Sequence, residues 1–185
     1  MPGTVARVTV ADLLARYPGD TEDVARIRAL AGSPDAWDRS RPLHLTASAL
    51  VVHPPTGRIL LRWHQRQQAW LFVGGHADPG EADPLAIALR EAREETGLDD
   101  LVPWPGPQLI HVAVVPVAPA ARDPAHEHAD LRFLVATGKP DEARPEKPTA
   151  PLRWLTFDAA HAELTRPNLR EALTRGISAS RLPDG

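Results

Sequence analysis

The chain contains no cysteine. Disulfides, thiolate metal sites and cysteine nucleophiles are therefore excluded. Lysine is nearly absent, at 139 and 147 only, so arginine carries almost all the positive charge. There is no large excess of either sign. A formal net charge of −3 argues against a dedicated nucleic-acid binder, which is usually basic overall. It does not exclude a small anionic ligand, because a bound metal supplies positive charge locally. No long hydrophobic run exists either. The most apolar stretch, 109–121, is broken by His111, Pro116 and Pro119 and is shorter than the roughly 20 residues of a bilayer helix. No membrane partner is expected. The first residues show no basic segment leading into an apolar one, so a secretory signal is not expected. A soluble, cytoplasmic protein is the reading. What remains is ordinary: 185 residues, 43% hydrophobic and 24% charged, enough for about one domain with an appendage.

The first forty residues read as helical. Thr9 caps a short helix, with Asp12 three positions on as in a capping box. A second helix opens near Thr21 and stops at Gly32. The period then changes. Strands are expected at 43–52, 58–63, 70–73, about 108–118, 131–137 and 152–155. A helix is expected over 84–96, with Asp83 as N-cap, Pro84 at its first position and Gly97 as its stop. Two more are expected at 157–165 and 167–176. This mixture predicts an α/β (α+β) sandwich on a mixed β-sheet. The divisions are an N-terminal helical arm (1–42), a main domain (43–177) and a tail (178–185).

The 84–96 helix carries an internal conflict. Glu91, Glu94 and Glu95 share one face at i, i+3 and i+4, where like charges repel by roughly 0.2–0.5 kcal/mol per pair. Glu94 and Glu95 also sit in the last turn, where the dipole penalises anions. A divalent cation resolves this, and carboxylate oxygens at such density suit Mg²⁺ or Mn²⁺. The opposite face (Leu85, Ala88, Leu89, Ala92) is apolar and can pack on the sheet. Upstream, Gly74-Gly75 follows a short apolar strand and lets backbone approach a ligand closely.

The segment Arg90-Glu91-Ala92-Arg93-Glu94-Glu95-Thr96-Gly97-Leu98 resembles the second half of the Nudix box, G-x5-E-x7-R-E-U-x-E-E-x-G-U with U aliphatic. Gly75 and Glu81 match its first half. One departure stands out: eight residues, not seven, separate Glu81 from Arg90. The extra residue falls near Ala82-Asp83, before the N-cap, and leaves the role of Glu81 open. The resemblance extends over about 43–175.

That resemblance to the Nudix (MutT-like) family implies an α/β/α sandwich and a metal-dependent hydrolase acting on acid anhydrides. Activated water would cleave the pyrophosphate linkage of a small nucleoside diphosphate derivative, such as a nucleoside triphosphate or an ADP-ribose-like compound. Mg²⁺ or Mn²⁺ would be held by Glu94 and Glu95. Glu91 would be a further ligand or the base, and Arg90 would orient a carboxylate. Gly75 would pass close to the metal. A further carboxylate from outside the box is expected, with Glu127 and Asp130 as candidates. His126-x-His128 is either a separate metal pair or the polar start of a strand. His76 either touches substrate or metal, or fills a turn. Trp70 can stack on a base or pack in the core; Arg62 can meet phosphate or lie on a solvated surface. The arm either covers a sheet edge or makes a homodimer contact. A catalytically silent nucleotide-binding or regulatory module of the same fold is the alternative, but a pure sensor has no need of mutually repelling carboxylates. An isomerase on this fold is disfavoured by the missing cysteine.

Overall fold

The computed structural model describes residues 8–120 and 124–180. Its centre is β1 (Leu43–His53), an eleven-residue strand with nine buried positions. One edge of β1 carries two antiparallel partners in succession. β2 (Arg58–His64) folds back through the His53–Gly57 turn, and β4 (Val73–Gly75) pairs further along. β3 (Ala69–Leu71) and β8 (Leu152–Leu155) flank β2. The other edge of β1 pairs in parallel with β7 (His126–Ala136), which in turn pairs antiparallel with β5 (Val102–Pro103) and β6 (Leu109–Val117). The sheet is thus mixed and eight-stranded.

Alternation along β1 and β7 feeds two cores. Leu45, Ala47, Ala49 and Val51 of β1 join Ala129, Leu131, Phe133 and Val135 of β7 on one face. There they meet α1 (Val10–Arg16), α2 (Glu22–Ala31) and α3 (Pro84–Thr96). Leu50, Val52, Leu134 and Ala136 point the other way, onto α4 (Phe157–Glu163) and α5 (Pro167–Ser180). The result is the expected α/β/α sandwich. Val24 and Ile27 of the arm are fully buried, and burial of such side chains contributes roughly 2 kcal/mol each. Among the described residues no helix is long and apolar enough to cross a membrane. Residues 1–7 of the expected arm and 181–185 of the expected tail lie outside the described residues.

The caps read from sequence at Thr9 and Asp83 are present, and α2, expected to open near Thr21, is capped by that residue. Thr9 and Asp12 exchange both bonds of a capping box, Thr21 accepts from Val24 N–H, and Asp83 accepts from Leu85 and Ala86 N–H. Beyond the unexpected short strand β5, three of the expected elements differ. The strand expected at 70–73 is two strands, interrupted at Phe72. β7 starts at His126 rather than 131, because its polar first half is hydrogen-bonded in parallel to Leu43–Thr46. α5 runs through Gly176 to Ser180, beyond the end expected at 176. Gly176 does not end the helix; it lets α5 lie against Leu50, whose Cδ2 would be 2.8 Å from an added Cβ.

Candidate active site

On the α4/α5 face of the sheet, β1 and β7 change character halfway. The parallel register sets His44 beside His128, Thr46 beside Asp130 and Ser48 beside Arg132, then Leu50 beside Leu134. The apolar half is covered by helices. The polar half opens into a cleft of about 390 Å³, within the range of small-molecule sites. Arg39, Arg62 and Arg166 line it from outside this ladder.

The carboxylates enter this cleft from α3 across β4. A Cβ on Gly75 would sit 2.7 Å from the Glu91 carboxyl, so only glycine leaves Glu91 its place. Gly74 faces the opposite way, onto Ser48, and its N–H donates to Glu95 Oε2 at 3.1 Å. The double glycine therefore has two separate causes. Gly75→Ala should fold with little change in Tm, since the Glu91 side chain can swing away, but should lose roughly tenfold or more in kcat because that carboxylate is displaced. Steady-state kinetics beside a thermal melt check this, and undiminished kcat would sever the link between Gly75 and Glu91.

Glu91 and Glu95 line the cleft. Burial pushes the Glu95 carboxyl up to about 7, against the opposing pull of Arg62 at 3.2 Å and the Gly74 N–H. Burial raises Glu91 as well, opposed by Arg90. Glu94 differs. Its side chain is 54% exposed and bonds Arg90 at 3.2 Å. Arg90 does not line the cleft. It donates to both Glu81 oxygens, to Glu91 at 3.1 Å and to the His76 carbonyl at 2.7 Å. The extra residue of the box is absorbed ahead of the Asp83 cap. Glu81 still reaches Arg90, and also accepts the Asp78 N–H at 2.8 Å.

Two further residues expected at the site are elsewhere. Glu127 is on the opposite face of β7 from the cleft residues, with its carboxylate on Arg26 of α2 at 2.5 Å. An arm that packs on that face supplies its countercharge, so Glu127 is not the additional carboxylate of the cleft. Asp130 is the carboxylate that β7 brings to it. Asp130 accepts from Thr46 at 3.1 Å, Ser48 at 2.9 Å and Arg132 at 2.8 Å. Trp70 is also absent from the cleft wall. It packs in the second core, edge-on to Trp63 at 5.4 Å and under the Arg153 guanidinium at 4.5 Å. Its apolar area and β3 position suffice to bury it.

Arg62 and His76 do line the cleft. So do residues to which the sequence gave no role: Thr46, Ser48, Arg132, Arg166 and Asn168. Arg62 Nε, Gln67 Oε1 and Asn168 Oδ1 are buried without a hydrogen-bond partner, and all three residues face the cleft. Buried polar atoms are normally satisfied. These three atoms leave one donor and two acceptors free for water or a ligand. His44, His76, His126 and His128 gather at one end, where burial depresses His76 to about 4 and His128 to about 3.

A family model described as NUDIX domain matches residues 42–175. No curated protein matches the chain. Among solved structures, a MutT protein from Methanosarcina mazei Go1 superposes with a TM-score of 0.59 at 17% identity, covering 77% of this chain and 98% of that one. A C. elegans Ap4A hydrolase gives 0.58 at 18%, covering 72% and 95%. The E. coli dihydroneopterin triphosphate pyrophosphohydrolase gives 0.57 at 20%, covering 75% and 97%. At these identities the likeness is one of fold.

Proposed function

Because the chain belongs to the Nudix family, we propose that it is a divalent-metal-dependent pyrophosphohydrolase of a small nucleoside diphosphate derivative. The observation that carries this reading is the pair of largely buried carboxylates, Glu91 and Glu95, in a cleft also lined by Arg39, Arg62, Arg132 and Arg166. The donor set fits a hard cation. Two carboxylates are held in one partly dry site, burial disfavours their charge, and Arg62 and Arg90 compensate only part of it. Gly75 clears the space that the Glu91 carboxyl occupies.

Glu91, Glu94 and Glu95 would hold Mg²⁺ or Mn²⁺, Glu94 on exchanging its Arg90 partner. When bound, the cation neutralises phosphate charge and lowers the pKa of the attacking water. Glu91 would receive that water's proton at a carboxylate oxygen. Arg90 is a positioning residue: one N–H fastens Glu91 while the others anchor Glu81 and the His76 carbonyl. Arg39 and Arg166 face the cleft and would meet phosphate oxygens. Arg62 Nε, Gln67 Oε1 and Asn168 Oδ1 offer one donor and two acceptors to the rest of the substrate.

The test is release of phosphate or pyrophosphate from a substrate panel with Mg²⁺ or Mn²⁺. Nucleoside triphosphates (normal and oxidised), ADP-ribose, NADH, dinucleoside polyphosphates including Ap4A, dihydroneopterin triphosphate and nucleotide sugars make up the panel. Turnover is expected on at least one compound, abolished by EDTA and restored by adding back the cation. Silence across the panel, with nucleotide binding retained, would instead support the non-hydrolytic binding module.

A further inference from the structure

Four imidazoles converge at the start of the β1/β7 ladder, and the proposed hydrolysis uses none of them. His44 and His128 are neighbours in the parallel register. His126 lies two residues back along β7, and His76 reaches in from the end of β4. Ring centroids are 5.1 Å apart for His44–His76, 5.0 Å for His44–His128 and 4.8 Å for His76–His128. One donor atom from each of these three lies within 4.8 Å of the other two. The closest approaches are nitrogen to nitrogen. His44 Nε2 is 3.1 Å from His76 Nε2, and His126 Nε2 is 3.1 Å from His128 Nε2.

The backbone sets two of the tautomers. His44 Nδ1 lies 2.9 Å from the Arg41 carbonyl, and His126 Nδ1 lies 2.9 Å from the Pro124 carbonyl. A carbonyl oxygen only accepts, so each Nδ1 carries a hydrogen. In the neutral ring, Nε2 is then a bare lone pair. Both bare nitrogens point into the cluster. A histidine whose far N–H is held by a backbone carbonyl is the usual arrangement around a bound metal. Burial lowers the pKa of His44, His76 and His128, which favours the neutral form that ligates.

The spacing also suits a metal. Tetrahedral Zn–N bonds of 2.0–2.1 Å place ligand nitrogens about 3.3 Å apart, close to the shorter separations here. Imidazole nitrogen selects zinc, copper or nickel over magnesium, which prefers oxygen. The cluster is therefore chemically distinct from the carboxylate pair of α3, although His76 and His128 line the same cleft.

We propose that His44, His76 and His128 form a second metal site, for a transition-metal cation of the Zn²⁺ class, with His126 Nε2 at its edge. A cation there adds positive charge to a wall that faces an anionic substrate. The competing arrangement is a chain of imidazole–imidazole hydrogen bonds with no metal.

Tag-free protein, stripped with chelator and returned to buffer containing excess Mg²⁺, is titrated with Zn²⁺ against a chromogenic chelator. About one equivalent is expected to bind. His76→Ala and His128→Ala each should weaken binding by roughly 100-fold or more. Both side chains are partly exposed, so these variants avoid the fully buried His44, and circular dichroism verifies their fold. Co²⁺ should give visible absorption bands of a tetrahedral nitrogen site in the wild type and lose them in both variants. Zn²⁺ binding should survive in the Glu91→Gln/Glu95→Gln protein, which separates this site from the hydrolytic one. No Zn²⁺ bound under Mg²⁺, equal affinity in both histidine variants, or loss confined to the carboxylate variant would overturn the proposal.

Discussion

Glu95→Gln is expected to remain folded and to lose roughly 10²–10³-fold or more in kcat, because the carboxylate proposed to ligate the metal becomes a neutral amide of the same shape. Glu95 is the strongest single test of the proposed hydrolysis. Its side chain is 13% exposed, it faces the cleft, and β4 anchors it through the Gly74 N–H. Stability should move the other way or not at all. Burial already disfavours the charged carboxylate, so removing that charge relieves a penalty even as Arg62 loses its partner at 3.2 Å. Arg62 retains Glu146 at 3.8 Å. Kinetics with Mg²⁺ and a thermal melt of the same preparation give both readouts. More than about a tenth of wild-type activity would remove Glu95 from the metal set. A large fall in Tm would make the residue a structural one instead.

The largest effect on stability is expected at Gly74. Its φ is +149°, and an added Cβ would lie 2.5 Å from Ser48 Cα and 2.6 Å from the Ala47 carbonyl oxygen. These are backbone atoms of the central strand, paired to Gly74 and Gly75 in register, so they cannot step aside alone. Gly74→Ala should therefore cost about 3 kcal/mol or more from strain and overpacking together. For a chain of this length that is a fall of roughly 6–12 °C in Tm. Differential scanning calorimetry measures it. A shift below about 2 °C would mean that β4 can detach from β1 without consequence. The contrast with Gly75→Ala is informative: adjacent glycines, one meeting backbone and the other a mobile carboxylate.

Much of this architecture is visible in the sequence, for local reasons. Thr9 with Asp12, Thr21, and Asp83 with Pro84 mark helix starts through hydrogen bonds made within three residues. Gly97 marks a stop because the chain must turn left-handed there, with φ at +68°. The acidic face of α3 is equally local, being a matter of spacing on one helix. The choice between Glu127 and Asp130 is not. It depends on which face of β7 turns to the cleft and on an arginine of α2 that lies 101 residues earlier. His44 gives no signal by itself; its partners are on β7 and after β4. For Trp70 the sequence offers stacking or, in preference, core packing, and only the position of β3 places its ring in the second core, off the cleft wall. Gln67 and Asn168 are ordinary loop and helix residues until the cleft closes around them and leaves their oxygens unpartnered.

The parallel pairing of β1 with β7 has a kinetic consequence. Thr46 and Asp130, which meet at the floor of the cleft, are 84 residues apart in the chain. Contacts of such separation require closure of a long loop before any stabilisation is returned, and topologies rich in them fold slowly. The β1–β2 hairpin and α3 can form from neighbouring sequence. The cage around Asp130 and the imidazole cluster cannot exist until β7 has docked. During synthesis this means that the whole stretch from β1 to β7 must have emerged from the ribosome before the cleft is assembled. Any ligand that needs the assembled cleft can therefore stabilise the native state only once it has formed, while the early search for it proceeds without that help.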